Sequence, residues 1–166
     1  MVSLDILSRL VWELRFLSMV AQTAHWRVFG PTSYSDHLLY GRVYEKLDEL
    51  LDPLAERLTA MSQLQESKYV SPLDQARYVY VRMTSVMPKL ESALLDPSLT
   101  AAFFYEELYA LTRHMRSFAS DVAHGEEMSL GLEDILAGTA SELETLVYFL
   151  ERRAQVIVSP VNHARS

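Results

Sequence analysis

The stretch HWRVFGPTSYSDHLLYGRVYEKLDELLDPLAER, residues 25–57, sets a His-Trp pair before a Gly-Pro turn and places a second histidine at His37. Past the turn, Val43, Leu47, Leu50, Leu54, Leu58 and Met61 recur at helical spacing, which predicts an amphipathic helix from about Ser35 to Ser62, with Ser33 or Ser35 as its cap. Pro53 falls inside it. A proline in a helix interior deletes a hydrogen bond and clashes with the preceding turn, at a cost of ~3 kcal/mol unless the helix kinks. Two readings follow: a single helix bent near Glu49 to Pro53, or a separate helix started by Asp52 as N-cap with Pro53 at its first position.

Helical stripes also flank this stretch. Leu4, Leu7, Val11, Leu14, Leu17, Ala21 and Ala24 predict helix one, ending near Gly30-Pro31. Phe16, Met19, Val20, Leu10 and Trp12 widen its apolar face, as though a neighbouring subunit covered a second side. Asp96-Pro97 reads as a cap followed by a first-turn proline, and Phe104, Leu108, Leu111, Met115, Phe118 and Val122 form the seam of helix three, which stops near His124-Gly125. Leu136, Ala140, Leu143, Val147, Leu150 and Ala154 mark helix four, from about Leu132. Between Gln63 and Asp96 the pattern blurs, with Tyr78 to Val81 alternating like a strand while Leu73, Ala76, Val79, Val86 and Leu90 can read as helix, so that segment is expected to be a connection holding a short helix. The sum is an all-α, ferritin-like four-helix bundle over residues 1–158, with a long crossover between helices two and three and a loose tail at 159–166.

Composition bounds the function. A chain of 166 residues that is 49% apolar supports one domain with a sizeable core. With no cysteine there is no disulfide, which fits a reducing cytosol and a cytoplasmic expectation. Charges at Asp5, Arg9, Glu13 and Arg15 interrupt the N-terminal apolar run, unlike a signal peptide, and no apolar run reaches the ~20 residues of a spanning helix. A net charge of −7 opposes general affinity for nucleic acid and attracts cations.

The candidate chemistry is metal binding. Imidazole and carboxylate suit iron, manganese and zinc without a thiol. On helix two, His37, Asp52 and Glu56 fall within roughly 100° of one another and away from the core stripe. His37 and Asp52 are ~22 Å apart along a straight helix, too far to share one ion within one chain. Two copies of this helix packed antiparallel about a two-fold axis would bring His37 of one opposite Asp52 and Glu56 of the other. An inward di-iron centre would need two Glu-x-x-His motifs, and the chain offers only Asp121-x-x-His124.

These residues resemble the Dps mini-ferritins, the DNA-binding proteins from starved cells. The resemblance rests on His25-Trp26, Gly30-Pro31, His37, Tyr44 and Asp52-x-x-Ala55-Glu56-Arg57-Leu58, and on a last helix carrying Asp134-Ile135-Leu136, Glu142, Leu143, Phe149 and Leu150. It implies a homododecameric shell that oxidises ferrous iron, preferably with hydrogen peroxide, and stores the ferric product. It also implies that His25 and His37 of one subunit, with Asp52 and Glu56 of its two-fold mate, hold the iron, and that Trp26 packs beside them. The family's usual Asp four residues after the second His is Gly41 here. One ligand is therefore absent, and either the site turns over poorly in a degenerate shell or Glu45 reaches in. If the gap is only a missing ligand, Gly41→Asp is expected to raise iron oxidation.

Other signals have bland readings beside sharp ones. Taken alone, His25 reads as a helix-terminal histidine bonded to backbone carbonyls. Tyr40 and Tyr44 read as packing before radical chemistry. Asp121, His124, Glu126, Glu127, Glu133 and Asp134 make either an iron-attracting pore or a solvated turn. The chain shows no Lys-rich tail of the kind through which Dps proteins hold DNA, and Arg152, Arg153, His163 and Arg165 add only modest positive charge, so weak or no DNA binding is expected.

Overall fold

A computed structural model describes residues 4–62, 71–123 and 130–158. Among them the order is α1 (Leu4–Arg27), α2 (Ser33–Ser62), α3 (Pro72–Ala93), α4 (Pro97–Ala123) and α5 (Leu130–Val158), with no strand. None of these helices is long and apolar enough to cross a membrane. The tail at 159–166 and the acidic-turn residues His124, Glu126 and Glu127 lie outside the described residues.

The helices form where the apolar stripes run. Every residue of the α1 stripe is buried, as are Val43, Leu47, Leu54 and Leu58 of α2, while Leu50 is half-buried and Leu51 takes the core position beside it. The buried seams of α4 and α5 close against these to make one core. The α1–α2 turn is built by Gly30, whose φ of +80° is left-handed backbone that favours glycine, and Ser33 N–H donates to the Gly30 carbonyl at 3.1 Å. Ser18 bonds Asp48, while His25 lies against His37, so the pairings run in opposite directions along α1 and α2 and the two helices are antiparallel.

Three expectations are revised. The helix continues through Pro53, so the separate-helix reading of Asp52-Pro53 falls. Its preceding residue is Thr32, one before the serines read as caps; the Thr32 hydroxyl donates to Asp36, and the Ser35 hydroxyl donates back to the Thr32 carbonyl. The crossover helix is not short: α3 has 22 residues. Its periodicity is weak because only Val86, Leu90 and Ala93 of it are fully buried, with Val79 and Met83 half-buried against the core and polar contacts adding to its hold.

That polar hold also explains the wide apolar face of α1. Trp12 meets Tyr78 of α3 with ring centroids 5.5 Å apart, and the Arg82 guanidinium lies over Phe16 at 5.2 Å. Trp12 and Phe16 of this second side are thus covered by α3 of the same chain, while Met19 stays exposed. Arg82 Nε donates to Glu13 of α1 at 3.0 Å, its Nη2 donates to Glu107 of α4, and the Tyr78 hydroxyl donates to Glu13 at 2.7 Å. Burial, then the bond to Glu13, push the Tyr78 phenol above its ordinary pKa. A 340 Å³ depression beside this knot is lined by Arg9 and His114 as well.

Candidate metal centre

His25 closes the last turn of α1 and His37 opens the second turn of α2, so the Gly30 turn brings the two imidazoles face to face. Their ring centroids are 3.7 Å apart and the planes differ by 26°. His25 Nδ1–H donates to the His37 carbonyl at 2.8 Å, and His37 Nδ1–H donates to the His25 carbonyl at 3.1 Å. A carbonyl can only accept, so the proton of each bond sits on Nδ1, and the neutral form of each ring carries its lone pair on Nε2. A carbonyl holding the far nitrogen is the usual way a protein fixes the tautomer of a metal-binding histidine. His25 is therefore carbonyl-bonded, as its bland reading has it, and still retains a donor nitrogen.

Gly41 explains the closeness of the pair. Gly41 is buried, and a Cβ added there would lie 3.3 Å from His25 Nδ1 and 3.4 Å from its Cε1. The imidazole rests on the bare backbone of α2. The glycine is thus a seat for His25 as well as the position of an absent carboxylate, a role that sequence spacing gives no means of seeing. Tyr44 stands edge-on to the same ring, centroids 5.3 Å apart, and its hydroxyl donates weakly to Glu45 at 3.5 Å. Both histidines, Gly41, Glu45 and Glu49 line an open depression of about 590 Å³.

The other two expected ligands stand elsewhere. Asp52 and Glu56 are exposed on α2, on the same outward side as exposed His37. Among the described residues no group of three or more His, Cys, Asp or Glu side chains is close enough to hold one ion. One chain brings together two of the four expected residues. Trp26 is 69% exposed, and Phe29, Tyr34 and Leu38 are exposed too.

Two pairings went unread in the sequence, although Tyr40 is buried as its packing reading has it. Asp36, 1% exposed, is held by Arg153 of α5 through Nε to Oδ1 at 2.6 Å and Nη2 to Oδ2 at 2.9 Å. Arg153 is thereby neutralised, so its share of the positive C-terminal character is spent inside the fold. Tyr40 is buried against Phe104 at 5.4 Å, and burial followed by the charge of Asp36 raises its phenol pKa. Neither pairing could be read from local spacing.

Comparison with known proteins then bears on this corner. The chain is 23% identical over 150 residues to DNA protection during starvation protein 2 of Deinococcus radiodurans, covering 90% of this chain and 54% of that protein. The likeness runs through nearly the whole chain. A 55-residue stretch is 36% identical to a protein of Kitasatospora aureofaciens named "Uncharacterized protein in bpoA2 5'region", covering 33% of this chain and 37% of that one. The chain spans about half, or less, of the length of these curated relatives. No family model matches it, and no solved structure does.

Proposed function

We propose that the protein is a Dps-like mini-ferritin, which binds ferrous iron as substrate at sites shared between two copies, oxidises it and stores the product in a closed homo-oligomeric shell. The observation that carries this reading is the stacked His25–His37 pair, tautomerically fixed by mutual carbonyls on the outward side of α1 and α2. Exposed Asp52 and Glu56 lie ~22 and ~28 Å from His37 along the same helix, so a second antiparallel α2 is the simplest way to bring carboxylates to the imidazoles. The match to a protein named for DNA protection during starvation supports the same class.

In such a site His25 and His37 supply neutral nitrogen donors, while Asp52 and Glu56 of the second copy supply negative charge that favours the ferric product over the ferrous substrate. With hydrogen peroxide as oxidant, each peroxide takes one electron from each of two ferrous ions and two protons from two solvent waters and leaves as two waters, and the two hydroxides so formed join the ferric product. Because the described residues of one chain gather no group of three such ligands, turnover in this reading depends on assembly. Gly41 favours a second reading, a shell that binds metal but oxidises it slowly, because a carboxylate donor is missing beside His37.

The test is particle mass by light scattering, followed by anaerobic ferrous titration and peroxide addition. The proposal expects a large oligomer and a ferric absorbance that rises on peroxide addition and is lost in His37→Ala and in Asp52→Asn. A monomer, or a particle with no iron-dependent absorbance change, would overturn it; an assembled particle that binds iron without turnover selects the second reading.

A further inference from the structure

The 340 Å³ depression beside the α3 knot shares no lining residue with the histidine corner. Two helix faces wall it, each repeating at three and four: one runs from Ile6 to Glu13 of α1, the other from Glu107 to His114 of α4. Arg82 of α3 grips Glu13 and Glu107 together, so both carboxylates stand at one end, largely buried. Exposed Arg9 lies one turn, ~6 Å, from Glu13, and exposed His114 lies ~10.5 Å along α4 from Glu107. These two mark the solvent end. Between the ends the walls are apolar, carried by buried Leu10 and Leu111.

The knot decides what Arg9 can do. Four residues apart on one helix, Arg9 and Glu13 would ordinarily pair. Here both Glu13 oxygens are committed to Arg82 and the Tyr78 hydroxyl, and among the described residues neither Arg9 nor His114 makes a hydrogen bond or an ion pair. The charge of Arg9 still reaches the slot: burial and then Glu13 raise the Tyr78 phenol pKa, and the charges of Arg82 and Arg9 oppose that rise.

We propose that this slot binds a small organic monocarboxylate with an apolar body, its head held by Arg9 with His114 as second donor, and its body lying between α1 and α4 against Leu10, Leu111 and the Tyr78 ring. A guanidinium fork matches a carboxylate through two parallel hydrogen bonds. A cation fits poorly, because Arg9 stands at the entrance and the carboxylates beyond it are already bonded to Arg82. The volume sits at the low end for small-molecule pockets, with room for about ten heavy atoms at the ~30 Å³ that a liquid water occupies. The inference needs neither metal nor assembly.

Full-length protein is titrated by calorimetry and proton NMR with phenylacetate, a carboxylate of about this size, and separately with acetate and with 2-phenylethylamine. Phenylacetate should saturate one site per chain. Acetate, which lacks the apolar body, should bind at least ~10-fold more weakly, and the amine, which reverses the charge, should bind no better than acetate. Arg9→Gln should weaken phenylacetate ~10-fold or more and His114→Gln several-fold, with urea unfolding midpoints at the wild-type value because both residues are exposed. Overhauser contacts should join the ligand ring to the Leu10 and Leu111 methyl groups. His37→Ala should leave phenylacetate binding unchanged, so failure of the iron chemistry proposed above leaves this inference standing. Absence of saturable phenylacetate binding, equal affinity for the three compounds, full binding in Arg9→Gln, or ring contacts elsewhere on the molecule would each overturn it.

Discussion

Two polar clusters in this molecule look alike in composition and differ in what they leave unused. In the α3 knot, both Glu13 oxygens, a Glu107 oxygen, the Tyr78 hydroxyl and two arms of Arg82 bond one another, with side chains 13% (Glu13), 15% (Glu107) and 26% (Arg82) exposed. At the α1–α2 corner, each histidine spends one nitrogen on a carbonyl and keeps the other. The first cluster is closed and its product is position, namely α3 fastened across α1 and α4. The second is open toward solvent and has capacity left for a ligand. Unspent donor capacity held in a fixed orientation, more than polarity or burial, is what separates a site from a strut.

The comparison can be broken. Arg82→Ala leaves two largely buried carboxylates without their shared cation, and urea unfolding should show a loss of about 3 kcal/mol with metal binding at His37 unchanged. His37→Ala should do the reverse: iron-dependent absorbance falls at least ~10-fold, as expected when a metal partner is removed, while stability moves by less than about 1 kcal/mol because the residue is exposed. If either variant damages both properties, the clusters are not separable. Tyr78→Phe sharpens the contrast by removing one hydroxyl from the knot, with an expected loss of about 1 kcal/mol in the same unfolding assay.

The smallest effect lies at the start of α4, where Asp96 Oδ1 accepts from the Ser98 hydroxyl and from Ser98 N–H at 2.8 Å. Those bonds, the hydroxyl first, hold the Asp96 carboxyl below its usual range. A carboxylate with a depressed folded-state pKa stabilises the fold above its unfolded value near 4, and that contribution is lost as pH falls through the lower, folded value. Asp96→Ala should cost no more than about 1 kcal/mol at neutral pH, given its exposure. The difference between variant and wild type should shrink in thermal unfolding below about pH 4.

Where the sequence was informative follows the same division. The apolar seams of α1, α2, α4 and α5 repeat every three or four residues, so their existence was readable, and Asp96-Pro97 announced the α4 start through its cap chemistry. The hold of α3 on the bundle joins a short apolar seam to the polar contacts of Tyr78 and Arg82, whose charges and rings follow no hydrophobic period. At the corner, the spacing of His25 and His37 across a Gly-Pro turn was legible because a tight turn forces its flanks together. The seat under His25 was not, since a missing Cβ leaves no trace until another side chain is seen to occupy its space. Asp36 and Arg153 are separated by most of the chain, and only the packing of α2 on α5 reveals them as a pair.

That pair reaches further than its own stability. Asp36 is the peptide neighbour of His37, and its carboxylate is clamped from the far end of the chain by Arg153, with Thr32 bonded to both. The last helix therefore has a hand on the aim of an imidazole it does not touch. Loss of the Arg153 clamp is therefore expected to reach His37 through its peptide neighbour Asp36, so a substituted arginine near the end of α5 tests the corner proposed to bind metal without touching it.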